Sequence, residues 1–161
     1  MHRSLKKMVA EFRQHWQNYV LQSALAMGVV FVLLWWLRSE NLLIVASLGS
    51  TAFIVFAMPR SLTAQKRNVV GGQLTGLACG ALAHALGPDT LWAQAAFYSL
   101  AVGLSMFLMV VLDTEHPPAS GTALGVAIRG ASWRATLAVV AGALLLSLVH
   151  HLTRRKLRDL A

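Results

Sequence analysis

Charge is what this sequence has least of. Only 12% of its 161 residues are Asp, Glu, Lys or Arg, where a soluble domain carries about 25%. A water-facing surface wrapped around a single core is therefore excluded. Acidic residues are the scarcest, six against fourteen Lys and Arg, which leaves a formal net charge of +8. Cysteine is nearly missing. The single Cys79 rules out an intramolecular disulfide and any multi-thiolate metal site, and its apolar, small-residue surroundings mark it as a packing residue. No stretch between the apolar runs is long enough for a separate soluble domain, so nucleotide-binding folds, DNA readers and hydrolase cores lack room. The excess of positive charge does not point to nucleic acid, because it sits in short clusters between apolar runs, the pattern of membrane topology. No nucleophile–base pair, metal cluster or cofactor motif stands out, so neither an enzyme nor a bound cofactor is expected.

What the chain does have is length without charge. The residues free of Asp, Glu, Lys and Arg run 14–37, 41–59, 68–88, 90–112 and 135–153, with a shorter run at 116–128. A hydrocarbon core about 30 Å thick takes about 20 such residues per helix. The expected fold is an all-α, polytopic helical membrane protein. Either six passes cross the bilayer, near 18–37, 41–58, 68–86, 91–112, 117–129 and 134–152, or four full spans are joined by two short or broken helices. Leu37-Arg38-Ser39-Glu40 does not read as a signal-cleavage site.

The basic clusters orient the scheme. Arg3, Lys6, Lys7 and Arg13, then Arg60, Lys66 and Arg67, then Arg154, Arg155, Lys156 and Arg158 fall on one side, while residues 87–90 carry no positive charge. The positive-inside rule places both termini in the cytoplasm, of a bacterial inner membrane in this reading. Trp35, Trp36, Trp92 and Trp133 then lie near the outer face, and Trp16 and Tyr19 near the inner one. Three regions follow: an amphipathic interfacial helix at 1–16, with Leu5, Met8, Val9, Phe12 and Trp16 on one face, a transmembrane domain at 17–153, and a basic tail at 154–161.

Six passes divide into two sets of three, the arrangement of a 3+3 inverted repeat. Thr51-Ala52-Phe53-Ile54-Val55 aligns with Thr122-Ala123-Leu124-Gly125-Val126 at the middle of each set. Pro117-Pro118 marks a structural break, since proline removes an amide donor and clashes with the preceding turn. A helix starting near Ala119 points free N–H groups and a positive dipole end toward the break, and Ser120 and Thr122 add hydroxyls. If Gly49, Ser50 and Thr51 break the second pass similarly, two helix N-termini converge on one point, which suits a small anion. The alternative is that Pro117-Pro118 merely ends one pass and starts the next.

These stretches resemble the HPP family of small integral membrane proteins. Glu115-His116-Pro117-Pro118-Ala119-Ser120-Gly121-Thr122-Ala123-Leu124 is similar to the family's His-Pro-Pro signature. Ala46-Ser47-Leu48-Gly49-Ser50-Thr51-Ala52 and Gln65-Lys66-Arg67-Asn68-Val69-Val70-Gly71-Gly72 resemble a second family block. The resemblance covers residues 41–150. Lys66 replaces an expected proline, Gln73 a common histidine, and Ser120-Gly121 a usual Gly-Ala. The resemblance implies a four-helix membrane protein and, from plastid and cyanobacterial relatives, a transporter or channel with nitrite as the leading substrate.

Candidate substrate-binding residues are thus Ser50, Thr51, His116, Ser120, Gly121 and Thr122. Arg67, Asn68, Asp113 and Glu115 are candidates for attracting or gating the anion, with Arg60 and Lys66 adding to a cationic mouth. Asp113, Glu115 and His116 either relay a proton or cap the break structurally. Gln73 is expected to hydrogen-bond to another helix, and His84 has no evident partner. Gly72, Gly76 and Gly80 form a small-residue ridge for packing within the chain or between subunits of a homo-oligomer. Two other functions fit the same sequence: a channel for a small neutral solute, or a non-transporting scaffold or sensor that recruits partners through residues 1–16.

Overall fold

The structure, a computed structural model, describes residues 5–37, 42–88 and 90–160, with side chains left out at 5–8, 36 and 37. Expectations for residues 1–4, Arg38, Glu40 and the side chains of Leu5, Met8 and Trp36 fall outside that range. Six helices follow one another: α1 Leu5–Leu37, α2 Leu42–Ala57, α3 Lys66–Leu86, α4 Leu91–Val111, α5 Pro118–Arg129 and α6 Trp133–Thr153. A short 3-10 turn, Leu62–Ala64, precedes α3. There is no strand among the described residues. This is a polytopic helical membrane protein.

Four helices, α1 from Val9 to Trp35 together with α3, α4 and α6, are long and apolar enough to cross a bilayer. A 21-residue helix such as α3 spans about 31 Å, close to the hydrocarbon thickness of about 30 Å. The 16 residues of α2 and the 12 of α5 reach only about 24 and 18 Å. The order long, short, long thus occurs twice; α5 is buried over most of its length, while α2 keeps one exposed face that includes Leu42 and Phe53. Leucine and aromatic side chains cover the outside: Phe31, Trp35, Leu82, Phe107 and Leu148 are exposed, as lipid-facing residues must be.

Local sequence explains the helix ends. Non-helical angles at His15 (φ −128°, ψ 18°) bend α1, separating its amphipathic start from the apolar remainder. Pro118 opens α5 at the first helical position, where its missing N–H is no loss. Asp113 ends α4 with φ 53°. Its N–H bonds the Val110 carbonyl at 3.2 Å and the Thr114 N–H bonds Met109 at 2.8 Å, which closes a Schellman motif. Ser132 caps α6 by accepting from the Ala135 N–H at 3.2 Å.

Helix α2 is continuous from Leu42 to Ala57. That corrects the expected second break, because a glycine and two hydroxyl residues without a proline leave the backbone ladder intact. Ser50 accordingly lies exposed on the outer side of α2, while Ser47 and Thr51 face inward. The ridge of Gly72, Gly76 and Gly80 is used inside the chain. An added Cβ at Gly72 would stand 2.5 Å from the His116 Cβ, one at Gly76 would strike the Ala119 carbonyl, and one at Gly80 would meet the Ala123 carbonyl at 2.5 Å. Helices α3 and α5 therefore run side by side in the same direction, backbone against backbone.

The basic segment after α6 is docked on the helices. The Leu160 N–H bonds the Ala57 carbonyl at 2.8 Å, Gln22 donates to the Arg158 carbonyl at 2.8 Å, and Leu157 is buried. The ends of α2, α4 and α6 and the starts of α3 and α5 consequently share one basic face. Exposed Trp35, Trp92 and Trp133 mark the other.

Candidate functional site

Helices α2, α3 and α5 and the connection before α5 bring five polar side chains to one place inside the protein. Ser47, Thr51, Gln73, His116 and Thr122 are all buried, and all but Ser47 are fully inaccessible. Ser47 and Thr51 lie one turn apart on α2, a spacing that puts both on the same face. Gln73 follows Gly72 on the ridge of α3, so the close approach of α5 delivers Thr122 to it.

The bonds form a closed network. Gln73 Nε2 donates to Thr51 Oγ1 at 3.0 Å and to Ser47 Oγ at 3.3 Å. Thr122 Oγ1 donates to Gln73 Oε1 at 2.6 Å and lies 2.7 Å from Ser47 Oγ. Ser47 Oγ donates to the Pro118 carbonyl at 2.6 Å, and Thr51 Oγ1 lies 2.9 Å from the Ser47 carbonyl. His116 closes the ring: Nε2 is 2.9 Å from Thr51 Oγ1, and Nδ1 is 2.9 Å from the Thr63 carbonyl. A carbonyl only accepts, so Nδ1 carries hydrogen and the neutral ring offers Nε2 as an acceptor.

Neutrality is the state burial dictates. His116 stands in the connection between α4 and α5, and desolvation lowers its pKa from 6.5 to about 4, against the opposing bond to Thr63. In that state the network is short of protons. Three hydroxyls, one amide and one ring N–H bring six hydrogens to eight contacts. The hydroxyl protons can therefore adopt more than one arrangement. No donor is left over for a ligand while α2, α3 and α5 remain in contact.

The remaining expected residues divide around this core. Ser120 and Gly121 are half-buried beside it, and a Cβ on Gly121 would touch the Ser47 Cβ at 3.5 Å. The first amides of α5 are already bonded, Ala119 N–H to His116 at 2.9 Å and Ser120 N–H to Pro117 at 3.2 Å. That corrects the expectation of free N–H groups at this helix start. Nor do Asp113, Glu115 and His116 form a relay. Asp113 is exposed and ion-paired to Arg67 at 2.7 Å, and the ring partners of His116 are Thr51 and Thr63.

Arg67 and Asn68 position the break. Arg67 also donates to the Leu112 carbonyl at 2.9 Å, so its charge sits on the negative end of α4. Asn68 donates to the Glu115 carbonyl at 3.2 Å. At the opposite end of α5, His84 Nδ1 lies 3.0 Å from the Ala127 carbonyl, a partner that sequence spacing did not disclose. Ser47 and Gln73 complete the core that the candidate residues only outlined. The signal for Gln73 was a lone amide in an uncharged span, and for Ser47 its i, i+4 spacing to Thr51.

Comparison with known proteins agrees with this architecture. The family model described as HPP, transmembrane region, matches residues 10–159. A transmembrane protein of Dictyostelium discoideum is 31% identical over 91 residues, covering 55% of this chain and 31% of that protein's length. The chain thus matches about a third of that relative. No solved structure matches.

Proposed function

Because the chain belongs to the HPP family of integral membrane proteins, we propose that it is a transporter or channel for a small inorganic anion, with nitrite as the leading substrate. The observation that carries this reading is the buried Ser47–Thr51–Gln73–His116–Thr122 network. Polar side chains within a membrane bundle are costly, and a buried histidine among them is a mark of substrate and ion pathways. In this reading the network is the closed gate. Separating α5 from α2 frees the hydroxyls of Thr51 and Thr122 and the Gln73 amide to bind an anion in place of one another. Arg60 and Lys66 raise the anion concentration on the basic side, which the positive-inside rule makes cytoplasmic, with both termini there and the protein in a bacterial inner membrane. Function as a homo-oligomer fits the small interior of so short a chain.

The test is nitrite flux into proteoliposomes. Wild-type protein should exceed empty vesicles and saturate, and Thr51→Val and Thr122→Val should each abolish the excess. Flux no greater than in empty vesicles from pH 5 to 8 overturns the proposal. Flux that neither responds to membrane potential nor saturates with anions assigns the pathway to a neutral solute instead.

A further inference from the structure

On the basic face, away from the buried network, the loop after α2, the start of α3 and the end of α6 border a half-open cavity of about 680 Å³. Arg60, Lys66, Arg67, Arg154 and Arg155 line it, and no carboxylate does. Arg67 is already committed to Asp113; the other four cations have no ion-pair partner among the described residues. Asp159 reaches only the Arg60 backbone N–H, at 3.0 Å.

Its floor carries the second observation. Ser147 lines the cavity from α6 and is 1% exposed, yet its hydroxyl has no hydrogen-bond partner. A helical serine or threonine usually bonds the carbonyl one turn back, as Thr153 bonds Val149 at 2.7 Å in the same helix. Leaving a buried hydroxyl unbonded is unfavourable by about 1–3 kcal/mol. Ser147 Oγ is closed to solvent, so a ligand oxygen at the cavity floor satisfies it once the hydroxyl turns toward the cavity. The neighbouring His150 is fixed by its Nε2–H to the Pro59 carbonyl at 2.9 Å, so it forms wall beside the serine.

From this we infer that the cavity binds a phosphate group, with Ser147 Oγ as the deepest donor and Arg60, Lys66, Arg154 and Arg155 around it. Phosphate supplies several charged acceptor oxygens to a site lined by cationic donors and by no carboxylate. The volume suits a phosphate with a substituent, such as a glycerol headgroup, better than a three-atom anion. Basic recesses between helix ends at this depth hold anionic headgroups. The inference is independent of nitrite transport and is tested by binding.

Purified full-length protein in neutral detergent is titrated separately with inorganic phosphate and with short-chain phosphatidylglycerol. The readouts are the shift in unfolding midpoint and, for the lipid, retention in native mass spectrometry. Wild type should respond to at least one. Response to the lipid alone assigns a headgroup site, and response to both assigns a phosphate site open to solutes. Ser147→Ala should weaken binding about tenfold while the ligand-free protein stays at least as stable as wild type. Arg154→Gln with Arg155→Gln should weaken it further, and Arg134→Gln at the opposite face should not. No response to either ligand overturns the inference. So does equal binding by wild type and Ser147→Ala, which shows diffuse attraction to surface charge.

Discussion

Thr51 and Thr122 hold the two ends of one side chain. The Gln73 amide donates to Thr51 at 3.0 Å and accepts from Thr122 at 2.6 Å, so α2 and α5 are joined through α3. The two threonines are the residues that align between the halves of the sequence. Each sits in the short helix of a long–short–long set.

Gln73→Leu should therefore leave both hydroxyls poorly satisfied. A buried group deprived of its partner costs about 1–3 kcal/mol, and this amide serves three hydroxyls. Unfolding in detergent should show a loss in that range or above. Adding Thr122→Val should cost less than its own effect in wild type, because the partner is already gone. Strict additivity would show that the amide does not couple the helices.

The pH dependence of stability has a definite sign. Burial lowers the His116 pKa to about 4 from 6.5. Between these values the unfolded chain holds the proton and the folded chain does not, so stability increases with pH. The contribution is fully present above pH 6.5 and is lost as pH falls toward 4. Unfolding midpoints across pH 4–7 should slope upward, and His116→Gln should flatten the curve. A slope unchanged in the variant assigns the dependence to another group.

Charge gaps made the six helices legible, because a bilayer penalises charge more directly than any soluble core does. The basic and tryptophan faces were legible for the same reason. Composition could not show that α2 is unbroken: glycine and serine permit a break without enforcing one, and only proline removes the donor. The site was half legible. Thr51, His116 and Thr122 stood out beside the Pro-Pro break, whereas Gln73 and Ser47 depend on the approach of α3 to α5, which the glycine ridge permits but does not direct. Residues 154–161 after α6 read as a basic tail, and their folding back through Gln22 and Leu160 rests on contacts distant in sequence.

That glycine ridge gives a packing prediction with an internal control. Gly76→Ala would drive a Cβ into the Ala119 backbone carbonyl, which has no side-chain freedom with which to yield. Overpacking of this kind costs about 1–3 kcal/mol, and the displacement of α5 should also disturb Thr122. Gly103 on α4 has nothing within 4 Å of an added Cβ, so Gly103→Ala should be neutral or stabilising by up to about 1 kcal/mol. Equal losses at both positions would mean that close approach of α3 to α5 is not what the ridge provides.

The connection leading into the site carries a separable strain. Asp113 adopts φ 53° at the end of α4, a conformation glycine takes freely and other residues reach at about 1–2 kcal/mol. Its carboxylate pairs with Arg67 at 2.7 Å, but both side chains are well exposed, and such pairs contribute about 0–1 kcal/mol. Backbone relief should therefore outweigh the lost pair, making Asp113→Gly as stable as wild type or more so. Asp113→Ala keeps the strain and loses the pair, and should be the least stable of the three. Arg67→Gln should cost more than Asp113→Gly, because Arg67 also donates to the Leu112 carbonyl at 2.9 Å and places its charge at the negative end of α4. Unfolding midpoints at low and high salt decide the matter. The loss in Arg67→Gln should shrink as salt screens the charge, while the difference between glycine and alanine at position 113 should persist.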